Sequence, residues 1–168
     1  MAIKPVILQI AGYQNSGKTT AAVQIVRSLT EAGFRVGTVK HHGHGGKPEL
    51  PAGKDSTLHY EAGAAAAGVE GDGTFVLTLR GEGLEKWIAL YTALEMDVIV
   101  IEGYKQADYD KMVCIRTEED LDLLEKATRV RAVLAWEPLT AEVPVFSVHD
   151  AAAYINWVQQ YVKEQRYV

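Results

Sequence analysis

The chain has a single cysteine, Cys114, which excludes an intramolecular disulfide and any cysteine-based zinc cage and suits a reducing compartment. It has no apolar run near the roughly 20 residues that a membrane-spanning helix needs. Basic residues are in deficit: 17 Lys and Arg stand against 22 Asp and Glu, a formal charge of -5, whereas a general nucleic-acid grip needs a net basic face to displace counterions. Neither nucleic acid nor a membrane is therefore an expected partner. The glycines and prolines follow no collagen-like period, and there is no internal repeat, low-complexity tract or linker. The apolar segment after Met1, Val6 to Ala11, is too brief for a secretory h-region and runs straight into a glycine-rich loop. No export signal is visible, and the cytoplasm is the expected location.

What is present suits one compact core. With 168 residues and 48% hydrophobic content, the chain is too short for two ordinary domains, so residues 1–168 are read as one. Val6 to Ala11 is a nearly continuous apolar run, the mark of a parallel strand buried on both faces. From Lys18 to Glu31 the residues Ala22, Val23, Ile25, Val26 and Leu29 make an apolar stripe at helical spacing, and Gly33 follows as a helix stop. Residues 35–40 read as a second strand. His41 to Lys54 holds four Gly, two Pro and three His, so it is expected to be a long irregular loop. Asp55 is positioned to cap a short helix through Ala62. Strands are expected over residues 74–79, 97–102, 112–115, 130–136 and 143–148, a helix around Leu84 to Leu94, and a last helix capped by Asp150. This alternation predicts an α/β domain with a mostly parallel sheet and helices on both faces, its ligands lying beyond the carboxyl ends of the strands.

Between the first strand and the first helix, Gly12, Tyr13, Gln14, Asn15, Ser16, Gly17, Lys18 and Thr19 fit G-x-x-x-x-G-K-S/T, the P-loop pattern, with Thr20 directly behind. Gly12 and Gly17 allow backbone angles and close approaches that a Cβ would forbid, so successive N–H groups turn inward around a phosphate at the positive end of the helix. Lys18 would reach the β- and γ-phosphates as a point charge, and Thr19 would offer its hydroxyl to Mg²⁺. The predicted domain is thus a P-loop nucleotide-binding fold.

Asp97 and Glu102 flank one strand, and at about 3.3 Å per residue they lie too far apart to share a metal ion. Glu102, at the carboxyl end, is the candidate that holds Mg²⁺ through water or orients the attacking water, while Asp97 is read as a solvated strand start. Gly103 is a candidate to sense the γ-phosphate through its backbone N–H. Lys40 either adds positive charge near the phosphates or only solvates the same edge. Asp55 is a helix N-cap, a switch-loop Mg²⁺ ligand, or both. His41, His42 and His44 form a metal site or a solvated loop, and Tyr104 and Lys105 either contact a ligand or make an exposed turn. Arg129 and Arg131, the one close arginine pair, start a strand at the edge opposite the phosphates.

Taken together, Gly12 to Thr19, Thr38 to His42, Gly53 to Ser56, and Glu102 to Lys105 resemble, in order and over almost the whole chain, the MobB family, the adaptor proteins of molybdopterin-guanine dinucleotide biosynthesis. The resemblance implies a GTP-binding homodimer with weak GTPase activity. Such a protein assists a MobA-type molybdenum cofactor guanylyltransferase in attaching GMP to molybdopterin, and acts mainly as an accessory. It further implies that Gly12, Gly17, Lys18 and Thr19 bind phosphate and magnesium, with Asp55 and Glu102 completing the site. The residues alone show no Asn-Lys-x-Asp segment for reading guanine, since Trp136 is followed by Glu137, Pro138 and Leu139. Two other readings of the same P-loop are a small-molecule kinase, which would need arginines closing over the phosphoryl group, and a metal-delivery GTPase using the histidine loop.

Overall fold

The computed structural model describes residues 4–43, 46 and 48–166. Its elements are β1 (Val6–Gly12), α1 (Lys18–Glu31), β2 (Val36–Lys40), α2 (Asp55–Glu61), β3 (Ala66–Gly71), β4 (Thr74–Leu79), α3 (Leu84–Ala93), β5 (Val98–Glu102), β6 (Lys111–Ile115), a 3-10 turn (Glu118–Leu121), α4 (Asp122–Lys126), β7 (Val130–Ala135), β8 (Val145–Ser147) and α5 (Ala151–Arg166). Among the described residues no helix is long and apolar enough to cross a membrane.

Six strands form one sheet in the order β2-β5-β1-β6-β7-β8, with every neighbouring pair parallel. The apolar runs are continuous because each strand is covered twice. Leu8, Ile10, Val98, Val100, Met112 and Cys114 face a layer made by α1 and α5. Ile99 and Ile101, one residue out of phase, face α3 through Leu84, Ile88 and Tyr91. Val113, Ile115 and Val133 face Leu121, Leu123 and Leu124. Leu8, Ile10, Ile99 and Ile101 have no exposed surface, and burying such a side chain is worth about 1.5–3 kcal/mol. Helix α1 buries Ala21, Ala22, Ile25 and Leu29. It ends where Gly33 takes a φ of 90°, with the Gly33 N–H donating to Thr30 and the Phe34 N–H to Leu29; this pair of bonds closes the helix and turns Phe34 back onto the core.

Three expectations are corrected, and two elements, β3 and the helical Glu118–Lys126, lie where none was expected. The strand at residues 74–79 does not join the main sheet. It pairs antiparallel with β3, which the sequence reading left out, in a separate two-stranded hairpin. The two-residue loop Asp72 and Gly73 has φ values of 48° and 71°, as a type I′ turn requires, and Asp-Gly between strand-length segments was the overlooked signal. The segment Glu118–Lys126 is helical, started by a capping box in which Thr117 and Asp120 exchange side-chain bonds with each other's backbone N–H. The N-cap of α2 is Lys54, so Asp55 is its first helical residue. Asp97 is not simply solvated: its carboxylate accepts the Arg35 N–H at 2.8 Å and the Arg166 guanidinium at 2.7 Å, tying β2 and α5 to the start of β5. The Asp150 cap is as expected, accepting the Ala153 N–H at 3.1 Å.

Candidate nucleotide-binding site

The chain leaves β1 toward β2 on one side of it and later returns to β6 on the other, so the crevice at the carboxyl end of β1 is where a ligand of an open parallel sheet belongs. Residues 13–17 fill that position. Gly17 is the N-cap of α1 with a φ of 96°, and Asn15 has a φ of 59°. A Cβ at Gly12 would stand 2.5 Å from Ser16 Oγ and 3.0 Å from the Cys114 carbonyl, so only glycine lets the loop close on itself there. No side chain caps α1 and its first turn holds no acidic residue; its end therefore keeps a positive partial charge and amide donors for an anion. A hollow of about 330 Å³ opens over this end, lined by Asn15, Ser16, Gly17, Lys18, Thr19, Thr20 and Trp136.

Lys18 folds over its own loop and donates to the Tyr13 carbonyl at 2.5 Å. Burial holds its pKa below the ordinary lysine value, against an opposing pull from Glu102. The neighbouring Cys114 thiol is fully buried and pushed up to about 12, so it offers no thiolate chemistry.

Thr19 and Glu102 do meet. The Thr19 hydroxyl donates to Glu102 Oε1 at 2.6 Å, and the Lys40 ammonium reaches the same Oε1 at 2.8 Å and Thr19 Oγ1 at 3.1 Å. The sheet register explains the meeting. Lys40 and Glu102 are paired neighbours on β2 and β5, and Thr38 pairs with Val100, whose side chain faces α1. Two residues further along, both side chains reach the same face. A hydroxyl and a carboxylate oxygen are the hard donors that Mg²⁺ prefers, and a cation already sits against them, so the residues present fit the ion.

Other candidates are placed differently. The Gly103 N–H already donates to the Ile10 carbonyl at 3.0 Å, continuing the sheet ladder, so it is not turned toward the phosphate loop. Asp55 is exposed, and among the described residues no hydrogen bond or ion pair joins it to Thr19 or Glu102. His44 lies outside the described residues. His41 packs its ring 4.6 Å from that of Tyr104, and its N–H donates to the Glu102 carbonyl. Arg129 and Arg131 both grip Asp110, at 2.7 and 3.1 Å, at the amino edge of the sheet, as their position in the strand implied.

Three further side chains border the site, of which only Lys105 was a candidate from the sequence. Trp136 donates its indole N–H to the Ser16 carbonyl at 2.9 Å and stands under Arg116. Lys105 lies 4.2 Å over the Tyr13 ring, a cation held at the loop mouth. Buried Gln9 donates its amide to the carbonyls of Gly103 and Tyr104, fixing the segment after Glu102. Position on a strand end was the available signal for Trp136; for Gln9, a polar residue inside an apolar run was the signal.

Comparison with known proteins identifies the family. The family model MobB, described as molybdopterin guanine dinucleotide synthesis protein B, matches residues 7–136. A Bacillus subtilis (strain 168) protein named probable molybdopterin-guanine dinucleotide biosynthesis adapter protein is 40% identical over 152 residues, 88% of each chain. The crystal structure of a MobB homolog from Bacillus stearothermophilus, 40% identical, superposes with a TM-score of 0.77 over 94% of this chain and 98% of its own. That of Bacillus subtilis MobB, 38% identical, gives 0.79 over 92% and 96%.

Proposed function

The chain belongs to the MobB family, and from that premise we propose that it is a GTP-binding adaptor of molybdopterin guanine dinucleotide synthesis. It assists a MobA-type guanylyltransferase acting on molybdopterin and hydrolyses GTP only weakly. The observation that carries the nucleotide reading is the uncapped, acid-free start of α1 wrapped by Gly12 to Thr20. Lys18 would exchange its bond to the Tyr13 carbonyl for phosphate oxygens, the first N–H groups of α1 would take the others, and Thr19 with Glu102 would hold Mg²⁺. When bound, the ion neutralises charge on the phosphates. Asp55 would complete the metal site only from a placement other than its present one at the start of α2. Weak turnover follows from the site's composition: besides Glu102 no other carboxylate hydrogen-bonds to Thr19, Lys18 or Lys40 among the described residues. The pair Arg129 and Arg131, which a kinase lid would need, is committed to Asp110.

The homodimer belongs to the same proposal. The β3–β4 hairpin exposes Val69, Phe75, Val76 and Leu77, and a two-stranded hairpin is marginal in water without cover. A second copy of this chain in the cytoplasm would supply that cover. The test of the function is titration calorimetry with Mg²⁺ and GTP or ATP, beside a single-turnover assay. The expected result is binding that favours GTP and hydrolysis far below the usual enzyme range of about 1–10³ per second. Fast turnover by the isolated protein, or no nucleotide binding at all, would overturn the adaptor reading.

A further inference from the structure

We propose that Lys40 is a built-in counter-ion that excludes a divalent cation from the Thr19–Glu102 site until a nucleotide arrives, and then passes to the terminal phosphate. This rests on the nucleotide reading above and says how metal and nucleotide are coupled at that site. Its ammonium lies 2.8 Å from Glu102 Oε1 and 3.1 Å from Thr19 Oγ1, where an ion bridging those two oxygens would sit. Mg²⁺ needs oxygen ligands at about 2.0–2.1 Å, so ion and ammonium cannot share that space. One must displace the other.

The local charge decides which stays. Around the single carboxylate of Glu102 stand Lys40, paired with it at 2.8 Å, Lys18 on the adjoining loop, and Lys105 over the Tyr13 ring, so three cations face one carboxylate. The uncapped N-terminus of α1 adds further positive potential. A dication entering the empty site would meet an excess of positive charge and would also have to break the Lys40–Glu102 pair. Phosphates reverse that balance and offer Lys40 a new partner of opposite sign. The side chain is built for the exchange: Glu102 is only 12% exposed and stays where β5 holds it, while Lys40 is 60% exposed on a flexible four-carbon stem. Because coupling is reciprocal, a residue that keeps metal out of the empty site makes metal and nucleotide each tighten the other.

The test uses Mn²⁺ as the metal probe, with the free-ion electron paramagnetic resonance signal as readout, on the full wild-type chain and on Lys40→Met and Lys40→Gln. Without nucleotide, the variants should bind Mn²⁺ at least about tenfold more tightly than wild type, since the vacated pair leaves a carboxylate without its cation. Adding Glu102→Gln to Lys40→Met should remove the gained site. The preference for GTP over GDP should fall about tenfold in the variants, the loss of one charge-assisted phosphate contact. Thermal unfolding midpoints near wild type would certify that the variants are folded, as expected for a mostly exposed side chain. Equal Mn²⁺ affinity of nucleotide-free wild type and variants, beside normal GTP binding by wild type, would overturn the role of Lys40 alone. Failure of wild type to bind GTP would instead overturn the proposed function.

Discussion

The two edges of the parallel sheet carry the same kinds of residue and use them in opposite ways. At the amino edge the buried and half-buried charges are partnered within the chain. Asp97 holds Arg166 and the Arg35 N–H. Asp110 holds Arg129, Arg131 and the Tyr161 hydroxyl. Lys111, fully buried, donates to the carbonyls of Ala107 and Thr128. At the carboxyl edge three lysines gather about one glutamate, next to a helix end that no side chain caps. A saturated ionic cluster is a fastener. An unsaturated one leaves its cations open to a partner from outside, as the proposed phosphate binding requires.

Four substitutions test this contrast. The largest expected effect is at the unsaturated edge: Lys18→Ala should weaken nucleotide binding about a hundredfold or more, as expected for losing a charge-assisted contact to phosphate, with the melting temperature nearly unchanged. Unaltered GTP affinity in a folded Lys18→Ala protein would erase the difference between the edges. Next comes Asp110→Asn, expected to cost about 2 kcal/mol of stability in denaturant unfolding and to leave GTP affinity alone. The figure is modest for a broken ion-pair cluster because both guanidiniums are half exposed.

The same aspartate carries a pH signature. Burial alone would raise its pKa, but hydrogen bonds from Tyr161, Arg131 and Arg129 outweigh it and hold the carboxyl below its ordinary value. A carboxylate depressed in the folded state lends stability above its unfolded pKa of about 4 and loses it as pH falls through the lower folded value. Wild-type stability should therefore drop more steeply than that of Asp110→Asn on acidification below about pH 4. Parallel pH profiles would show that the cluster is not what fastens this edge.

Third, Glu102→Gln should slow GTP hydrolysis about tenfold while changing binding less, as for a group that acts on metal or water rather than on the phosphate directly. The smallest effect belongs to Asp97→Asn, the other end of the same strand: about 1 kcal/mol of stability through the weakened links to Arg35 and Arg166, and no change in turnover. If Asp97→Asn slowed hydrolysis more than Glu102→Gln, the assignment of the two edges would be reversed.

The P-loop and its helix were legible in the amino-acid sequence because they are local. Gly12, Gly17, Lys18 and Thr19 lie within one turn of chain, and the stripe from Ala22 to Leu29 reports its own burial through helical spacing. The runs at Val6 to Ala11 and Val98 to Ile101 announced buried parallel strands for the same reason. The β3 strand was hidden because Ala66, Ala67, Gly68 and Gly71 carry little strand preference, and only pairing with β4 makes it one. The Gly103 amide was misjudged because its partner, the Ile10 carbonyl, is more than ninety residues away in the chain and becomes its neighbour only through the β1–β5 ladder.

The sequence by itself therefore determined the class of fold, the phosphate loop and the family, since each depends on residue types at short spacing. Tertiary structure alone decided which charges are paired off as fasteners and which stay in excess around Glu102. Nothing in the order of residues says that Asp97 would find Arg166, or that Lys40 and Glu102 would stand side by side over Thr19. Those meetings depend on strand order and register, which are set by how the whole sheet buries its two apolar faces, and a shift of one residue would turn Lys40 away from the site.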